Sequence, residues 1–149
     1  MTKKSSEATV EALSVLLASS YTLYVKTHNY HWNVTGPMFS ALHALFELQY
    51  TEMALALDEI AERIRSLGAF APGSFSAFAL LSAVEEENGR PQAMQMVANL
   101  AADQMIISDL AQKVIAAAEP LGDQPTIDLA VRRMEIHQKH AWMLRSHLE

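Results

Sequence analysis

The sequence predicts an all-α protein in which four long helices form a bundle and a short extra helix lies between the second and the third. Half of the 149 residues are hydrophobic, and only five Gly and five Pro interrupt them. Ala, Leu, Met, Glu and Gln dominate, and these residues lose little entropy in a helix. A sheet protein would need far more turn residues. The length suits one domain with a sizeable core.

The ends of the first two long helices are predicted from capping and breaking residues. The first helix runs from about Glu7 to Asn33, with Ser5 or Ser6 as its N-cap. It ends at the segment NVTGP, which supplies β-branched residues, Gly and Pro. The second helix runs from about Phe39 to Leu67 and stops at Gly68, because glycine is the usual residue just past a helix C-terminus.

The segment after the second helix is long for a connection between neighbouring helices. Within it, Ser74 is a candidate cap for a short accessory helix over Phe75–Leu81. The third long helix is predicted to begin near Pro91, in its first turn, and to end around Ala118. The fourth opens at Pro125 and runs to the end of the chain. A long connection can carry the chain the length of the bundle, so this arrangement resembles a ferritin-like bundle.

Composition and charge argue against several classes of protein. The net charge of −6 does not suit a chain that coats DNA or an anionic membrane, and the absence of Cys excludes disulfides and zinc–thiolate clusters. No apolar run reaches the length of a membrane span. The lysines at 3 and 4 precede a short apolar stretch, but Glu7 and Glu11 interrupt it, unlike a signal peptide. We expect one cytoplasmic domain over residues 1–149, with residues 1–6 as a short tail.

The second helix has two distinct faces. At about 100° per residue, one apolar arc is predicted to pack in the bundle and comprises Phe39, Leu42, Phe46, Met53, Leu57, Ile60, Ile64 and Leu67. Beside it, a second arc carries four potential metal ligands, His43, Glu47, Asp58 and Glu62. Mostly small or apolar residues share this arc: Ala44, Thr51, Ala54, Leu55 and Ala61. Such an arc is too apolar for solvent and too polar for the core, which fits a subunit interface.

The spacing of these ligands predicts metal binding by pairs. His43 and Glu47 are one helical turn apart and can share a metal ion, as can Asp58 and Glu62. Taken singly, each residue is more often a solvated charge or an ordinary polar side chain. Two such pairs on one partly apolar arc favour a metal site. However, about 22 Å of helix separates the pairs, whereas a ligand bond is about 2 Å long.

One chain therefore cannot use both pairs at one site, but two chains can. Two antiparallel copies related by a two-fold axis near Thr51 or Glu52 would place His43 of one chain opposite Asp58 of the other. A two-fold interface makes each contact twice, so it would create two equivalent sites. His31, at the end of the first helix, could complete the set. Mixed imidazole and carboxylate ligands without sulfur suit iron or manganese, with zinc as a competitor.

The segments that hold these residues resemble the Dps family, the DNA-protecting mini-ferritins of starved bacteria. The match runs through KTHNYHWNVTGPMFSALHALFELQY, DEIAERIRSLG and HAWMLRSHLE. The first two segments are specific, because they carry every ligand position at the family spacing. The resemblance implies a hollow shell of twelve subunits with ferroxidase centres, of one or two irons each, at its two-fold interfaces. These centres oxidise Fe(II), typically with hydrogen peroxide, and a ferric mineral core is stored inside.

The resemblance also implies which subunit supplies each ligand. By motif position, His31, His43 and Glu47 would come from one subunit. Asp58 and Glu62 would come from its neighbour. Many members of the family have Asp where this chain has Glu47, so the additional methylene alters the reach of that carboxylate.

Four further residues match positions of the family. Trp32 is expected close to the centre, whereas core packing is the favoured interpretation for Trp142. The segment GDQPTIDLAVRR resembles the lining of the family's three-fold iron-entry pores, so Asp123 and Asp128 would form acidic rings that attract cations. The ordinary alternative makes Asp123 a turn residue and Asp128 a partner of the helix dipole.

Two rival functions make different demands on the sequence. A nucleoid-binding protein that shields DNA physically needs a basic tail or patch, but the tail offers only Lys3 and Lys4 against a net charge of −6. We therefore expect DNA binding to be weak or absent near neutral pH. A di-iron oxygenase would place ligands on four helices of one chain, typically with Glu-x-x-His, a motif that the sequence does not contain.

Overall fold

The computed structural model describes residues 6–149, and this part of the chain contains no strand. Its five α-helices are α1 (Glu7–Asn33), α2 (Phe39–Ser66), α3 (Phe75–Leu81), α4 (Ala93–Ala118) and α5 (Gln124–Arg145). A 3-10 turn, Glu119–Leu121, joins α4 to α5. The all-α class with four long helices and one short helix is confirmed. Ser6 occupies the N-cap position of α1, and the other candidate cap and the tail lysines lie outside the described residues.

The helix directions follow from a few contacts. Short turns join α1 to α2 and α4 to α5, so each of these pairs is antiparallel. Near the end of α2, Arg63 donates a hydrogen bond to Asp123 at the start of α5. Gln49 lies earlier on α2 and donates a hydrogen bond to His140, which lies later on α5. These two helices are therefore antiparallel as well, which makes α2 and α4 parallel. The connection between them must return the chain along the bundle, as predicted from its length.

Gly68 follows the end of α2, as predicted, although the helix ends at Ser66, one residue before the predicted Leu67. Leu67 is the C-cap, and Gly68 follows with φ of +92°. Gly68 N donates to Arg65 O at 3.0 Å, and Ala69 N donates to Ile64 O at 3.3 Å. These two bonds satisfy carbonyls that the helix end leaves unpaired. The arrangement needs a left-handed residue, which glycine adopts without strain.

The long connection contains the predicted short helix. Ser74 Oγ accepts a hydrogen bond from Ala77 N at 3.2 Å, so the serine caps α3 as expected. The start of α4 is later than predicted. Gln92 is the N-cap and is extended, with φ of −64° and ψ of 157°. Pro91 therefore precedes the helix instead of lying in its first turn.

Two predictions for α5 are wrong. The helix ends at Arg145 and does not continue to the end of the chain. Trp142 is 60% exposed, so it does not pack in the core. Ala141 and Leu144 are the fully buried residues of this turn. The indole lies one position away from Ala141, about 100° around the helix, on the outer side.

The core lies between the four long helices. The apolar arc of α2 is buried as predicted at Leu42, Phe46, Met53, Leu57, Ile60 and Ile64, and Leu67 is half-buried. Phe39 is the exception: it is 42% exposed, and its ring stacks on His43. By length and composition α1 could cross a membrane. However, it packs against α2, α3 and α4, so its apolar character is that of a core helix.

Candidate metal centre

Two histidine side chains contact each other where α1 meets α2. The rings of His31 and His43 stack with centroids 3.7 Å apart and planes 14° apart. His31 Nδ1 lies 2.7 Å from the carbonyl oxygen of His43, and His43 Nδ1 lies 2.7 Å from the carbonyl oxygen of His31. A carbonyl can only accept, so each Nδ1 donates. In each neutral ring the free lone pair is therefore on Nε2, ready for a metal ion.

Local structure explains why these two rings meet. His31 lies in the last turn of α1, and His43 lies in the second turn of α2. The connecting turn includes Gly36 with φ of +106°, a conformation that favours glycine. Reciprocal bonding to the backbone fixes both ring orientations before any metal ion binds. Such outer contacts of ligating histidines commonly set the tautomer and the direction of the lone pair.

Aromatic rings surround the histidine pair. Tyr50 lies 5.2 Å from the ring of His31 and 3.8 Å from the ring of His28. Trp32 stacks on His28 at 5.0 Å, and Tyr24 contacts the same ring at 4.6 Å. Burial, and secondarily the neighbouring His31, lower the pKa of His28. The Trp32 indole thus lies against His28, which is one turn before His31 on α1.

Two aromatic residues beside the histidine pair, Tyr50 and Phe39, were not predicted from the sequence. Tyr50 lies three residues after Glu47, and Phe39 lies four residues before His43, so both share the face of the ligands on α2. That helical spacing was the available signal. Burial raises the pKa of the Tyr50 phenol, and the charge of Glu47 adds to this shift.

The acidic residues of α2 divide into two groups. Glu47, Asp58 and Glu62 are exposed, and within residues 6–149 their carboxylates make no hydrogen bond or ion pair. In contrast, Glu52 and Glu59 bond arginines of α5. The three unpaired carboxylates are the three predicted ligands. Carboxylate oxygen and imidazole nitrogen together make a donor set that suits iron.

One chain does not assemble these groups into a single site. Because α2 is continuous from Phe39 to Ser66, the separation of about 22 Å between the ligand pairs holds. No group of three or more His, Asp or Glu in the described range is placed to hold a metal ion. Between the pairs, Leu48 is 57% exposed and Leu55 is 76% exposed. Apolar side chains left in water beside unpaired carboxylates are consistent with a contact between copies.

The two aspartates near the start of α5 have different surroundings. Asp123 is buried, and its carboxylate accepts bonds from Thr126 N at 3.3 Å, Thr126 Oγ1 at 2.6 Å and Arg63 at 3.0 Å. It is the N-cap of α5, a more specific position than the turn residue of the ordinary alternative. Asp128 is exposed and accepts one bond from Gln124 at 2.7 Å. Of the two, only the Asp128 carboxylate has no cationic partner in the described chain.

Comparisons with known proteins identify the family of this chain. Residues 10–149 match the family model described as a ferritin-like domain. An uncharacterized low temperature-induced protein from Nostoc is 40% identical over 100% of this chain and 84% of its own length. DNA protection during starvation protein 2 from Bacillus anthracis is 36% identical over 93% of this chain and 95% of its own length.

Solved structures give the same result. The crystal structure of a Dps protein from Bacillus brevis superposes with a TM-score of 0.95 at 32% identity and covers 100% of both chains. The Dps protein from Vibrio cholerae O1 gives a TM-score of 0.95 at 31% identity, over 100% of this chain and 94% of that one. It is described as a member of a broad superfamily of ferritin-like diiron-carboxylate proteins. The chain therefore belongs to the ferritin-like family and, within it, to the Dps proteins.

Proposed function

We propose that this protein is a mini-ferritin that oxidises Fe(II) with hydrogen peroxide at centres shared by two copies. The ferric product is stored inside a shell of twelve subunits in the cytoplasm. The observation that carries the proposal is the reciprocal bonding of His31 and His43, which leaves the Nε2 lone pair of each neutral ring without a hydrogen-bond partner in the described residues. The unpaired acids Glu47, Asp58 and Glu62 supply the carboxylates that the same chemistry needs.

Each side chain has a distinct part in this reaction. The two imidazoles bind Fe(II) as neutral donors and fix the geometry. The three carboxylates offset the charge of the substrate and favour the ferric state, which carries one charge more. When two Fe(II) ions are held together, one peroxide takes an electron from each and accepts two protons. Its O–O bond breaks, two waters form, and no hydroxyl radical is released.

The location of the acids argues against an intrachain oxygenase. An enzyme of that type would direct its carboxylates into the middle of its own bundle, whereas Glu47, Asp58 and Glu62 are exposed on the outside of α2. The names of relatives from Bacillus anthracis and Brevibacillus brevis refer to DNA protection. We propose that protection here comes from removal of Fe(II) and peroxide, because a net charge of −6 on each chain opposes DNA binding.

Iron entry is a separate step with its own residue. We propose that Fe(II) enters through three-fold pores ringed by Asp128. The carboxylate of Asp123 caps α5 and accepts a hydrogen bond from Arg63. The positive charge of Arg63 offsets the negative charge of this carboxylate. The Asp128 carboxylate is exposed and has no cationic partner in the described chain, so a ring of such groups would raise the local concentration of cations.

The test uses two neighbouring acids of α2 as a matched pair. Asp58→Asn removes a proposed ligand, whereas Glu59→Gln removes a carboxylate that is paired with Arg132. Anaerobic protein is loaded with Fe(II), peroxide is added, and ferric absorbance, peroxide consumption and the mass of the assembly are measured. We expect about two Fe(II) oxidised per peroxide and loss of this rate in Asp58→Asn alone. Equal rates in the two variants would contradict the assignment of the site.

A further inference from the structure

A row of tyrosine rings leads away from the histidine pair along α1. The Tyr50 ring lies 5.2 Å from the ring of His31, measured between centroids. Tyr24 lies 6.0 Å from Tyr50, and Tyr21 lies 5.8 Å from Tyr24. Both pairs of phenol rings meet edge to face, an arrangement that contacting aromatic rings prefer. We call these three phenols the tyrosine row.

Helical spacing explains why the row is continuous. Tyr21, Tyr24 and His31 share one face of α1, and Tyr50 of the antiparallel α2 fills the gap between Tyr24 and His31. From Tyr21 to His31 the helix rises about 15 Å. Electron transfer between rings slows steeply with distance. Three short steps between neighbouring rings are therefore much faster than one step over the whole distance.

The hydroxyl groups of the row can exchange protons with water. All three side chains are half-buried, and within residues 6–149 none of their hydroxyl groups makes a hydrogen bond. The fourth tyrosine of the chain differs. Tyr30 is fully buried, and its hydroxyl donates to Glu87 at 2.5 Å and accepts from Asn99 at 3.1 Å. Its ring lies against Phe46 and contacts no phenol of the row in the described chain. Tyr30 precedes His31 in sequence but is not part of the row.

The row ends beside a cavity. The ring of Tyr21 stacks on Phe78 with centroids 4.6 Å apart, and both residues line a cavity of about 260 Å³ between α1, α3 and the connection after α3. Phenylalanine is much harder to oxidise than tyrosine, so a radical that reaches Tyr21 goes no farther. Glu86 and Glu87 also line the cavity, and their charges disfavour an anionic reductant. Aromatic walls beside these acids suit a small uncharged phenol or hydroquinone.

A second series of rings from Tyr50 is interrupted. His28 lies 3.8 Å from Tyr50, and Trp32 stacks on His28 at 5.0 Å. Imidazole is harder to oxidise than phenol or indole, so the His28 ring separates Trp32 from Tyr50. Direct contact between phenols therefore favours the tyrosine row.

We propose that the tyrosine row supplies the second electron when peroxide meets a centre that holds a single Fe(II). Peroxide then takes one electron from Fe(II), which becomes Fe(III), and one electron from Tyr50. The phenol gives up its proton with that electron, the solvent supplies one more proton, the O–O bond breaks and two waters form. This inference rests on the proposed oxidation of Fe(II) by peroxide at His31 and His43.

The radical then moves along the row. Tyr24 gives an electron and a proton to the Tyr50 radical, and Tyr21 does the same for Tyr24. The neutral radical remains on Tyr21, away from the bound iron. There a small phenol or hydroquinone in the cavity returns one electron and one proton, which restores the tyrosine and leaves the reductant as its own one-electron oxidised radical.

The experiment compares two loadings of the same anaerobic protein. With Fe(II) in excess, ferric absorbance after addition of peroxide measures the reaction at filled centres. With Fe(II) in deficit, freeze-quench electron paramagnetic resonance detects tyrosyl radical, and a nitroso spin trap with peptide mass spectrometry locates it. We expect a tyrosyl signal in deficit with the adduct on Tyr21, and loss of both when hydroquinone is added.

Three substitutions that keep the ring and remove only the hydroxyl test the route. Tyr50→Phe is expected to lose the adduct on Tyr21, and Tyr21→Phe is expected to move the adduct to Tyr24. Tyr30→Phe is the matched control and is expected to change neither the signal nor the adduct. Tyr21→Phe and Tyr30→Phe are expected to keep the rate of ferric formation in excess Fe(II).

The outcomes separate this route from the proposed function. Normal oxidation in excess Fe(II) without a tyrosyl signal in deficit overturns the route alone. An adduct confined to Trp32, or an adduct on Tyr21 that survives in Tyr50→Phe, does the same. No oxidation at either loading overturns the proposed function and this inference with it.

Discussion

A metal centre shared by two chains predicts that two inactive variants restore each other. His43→Ala removes a ligand at one end of α2, and Asp58→Ala removes one at the other end. Each variant alone breaks both sites of its own dimer. In a mixed dimer, one site combines both lesions. The other combines the intact His43 of one chain with the intact Asp58 of its neighbour, so it is complete.

The size of the recovery follows from counting sites. Equal amounts of two variants that pair at random give about half mixed dimers, and half of the sites in each mixed dimer are intact. We therefore expect about one quarter of the wild-type rate of Fe(II) oxidation. A site within one chain would give no recovery at all. The separation of about 22 Å along the unbroken α2 is the reason to expect the shared arrangement.

The assay needs exchange of subunits and a control with lesions at the same end. Subunits are unfolded together and refolded, native mass spectrometry verifies mixed dimers, and stopped-flow absorbance measures oxidation. The control mixes His43→Ala with Glu47→Ala, two lesions in the same half of the centre. Every site in that mixture is broken, so no recovery is expected. The reasoning is refuted if the first mixture stays inactive while mixed dimers are present, or if both mixtures recover equally.

Three further predictions concern iron entry, acid stability and DNA. Asp128→Asn is expected to slow Fe(II) uptake and weaken its salt dependence; unchanged uptake across a salt series would exclude the pore role. Asp123→Asn is instead expected to lower the free energy of unfolding by about 1 kcal/mol or more, as measured by urea denaturation. Burial lowers the pKa values of His137 and His140, so the unfolded chain binds more protons than the folded one. The stability from these two residues is present above about pH 6.5 and is lost as the pH falls below it, by up to about 1.4 kcal/mol per unit for each histidine. Constant urea midpoints from pH 7.5 to 5 would contradict this. In a gel shift at pH 7.5 and about 0.15 M salt, we expect no retardation of plasmid DNA at sub-micromolar shell. Retardation that disappears when both tail lysines become Ala would show that the tails suffice.

Helix limits were predictable wherever a local residue sets them. Gly68 ends α2, and Ser74 caps α3, because a positive φ and a side-chain cap act within a few residues. Pro91 predicted the start of α4 less accurately. Proline is compatible with the first turn of a helix and also with the extended segment before it. The backbone of the following residue decides between these two positions.

Exposure was harder to predict than helix position. Phe39 lies on the apolar arc of α2, and Trp142 was expected in the core, yet both are exposed. An apolar residue at the margin of a stripe is buried only if another helix reaches it. The distance and angle between helices determine this, and neither can be calculated from the periodicity of one helix. The contacts of the Tyr50 ring with His28 and His31 have the same origin, because these histidines lie on α1.

The sequence by itself determined the all-α class, the order of the helices and the separation of the ligand pairs on α2. Helical rise and twist are constant, so spacing along one helix converts directly into distance and direction. Only the tertiary structure determined which carboxylates of α2 are paired with an arginine. Glu52 is paired with an arginine while Asp58 is not, because α5 lies against one side of α2. It also set the reciprocal bonds of His31 and His43 and placed Arg133 in the interior. These contacts join residues that are distant in sequence or lie on different helices, so their partners depend on how the helices pack.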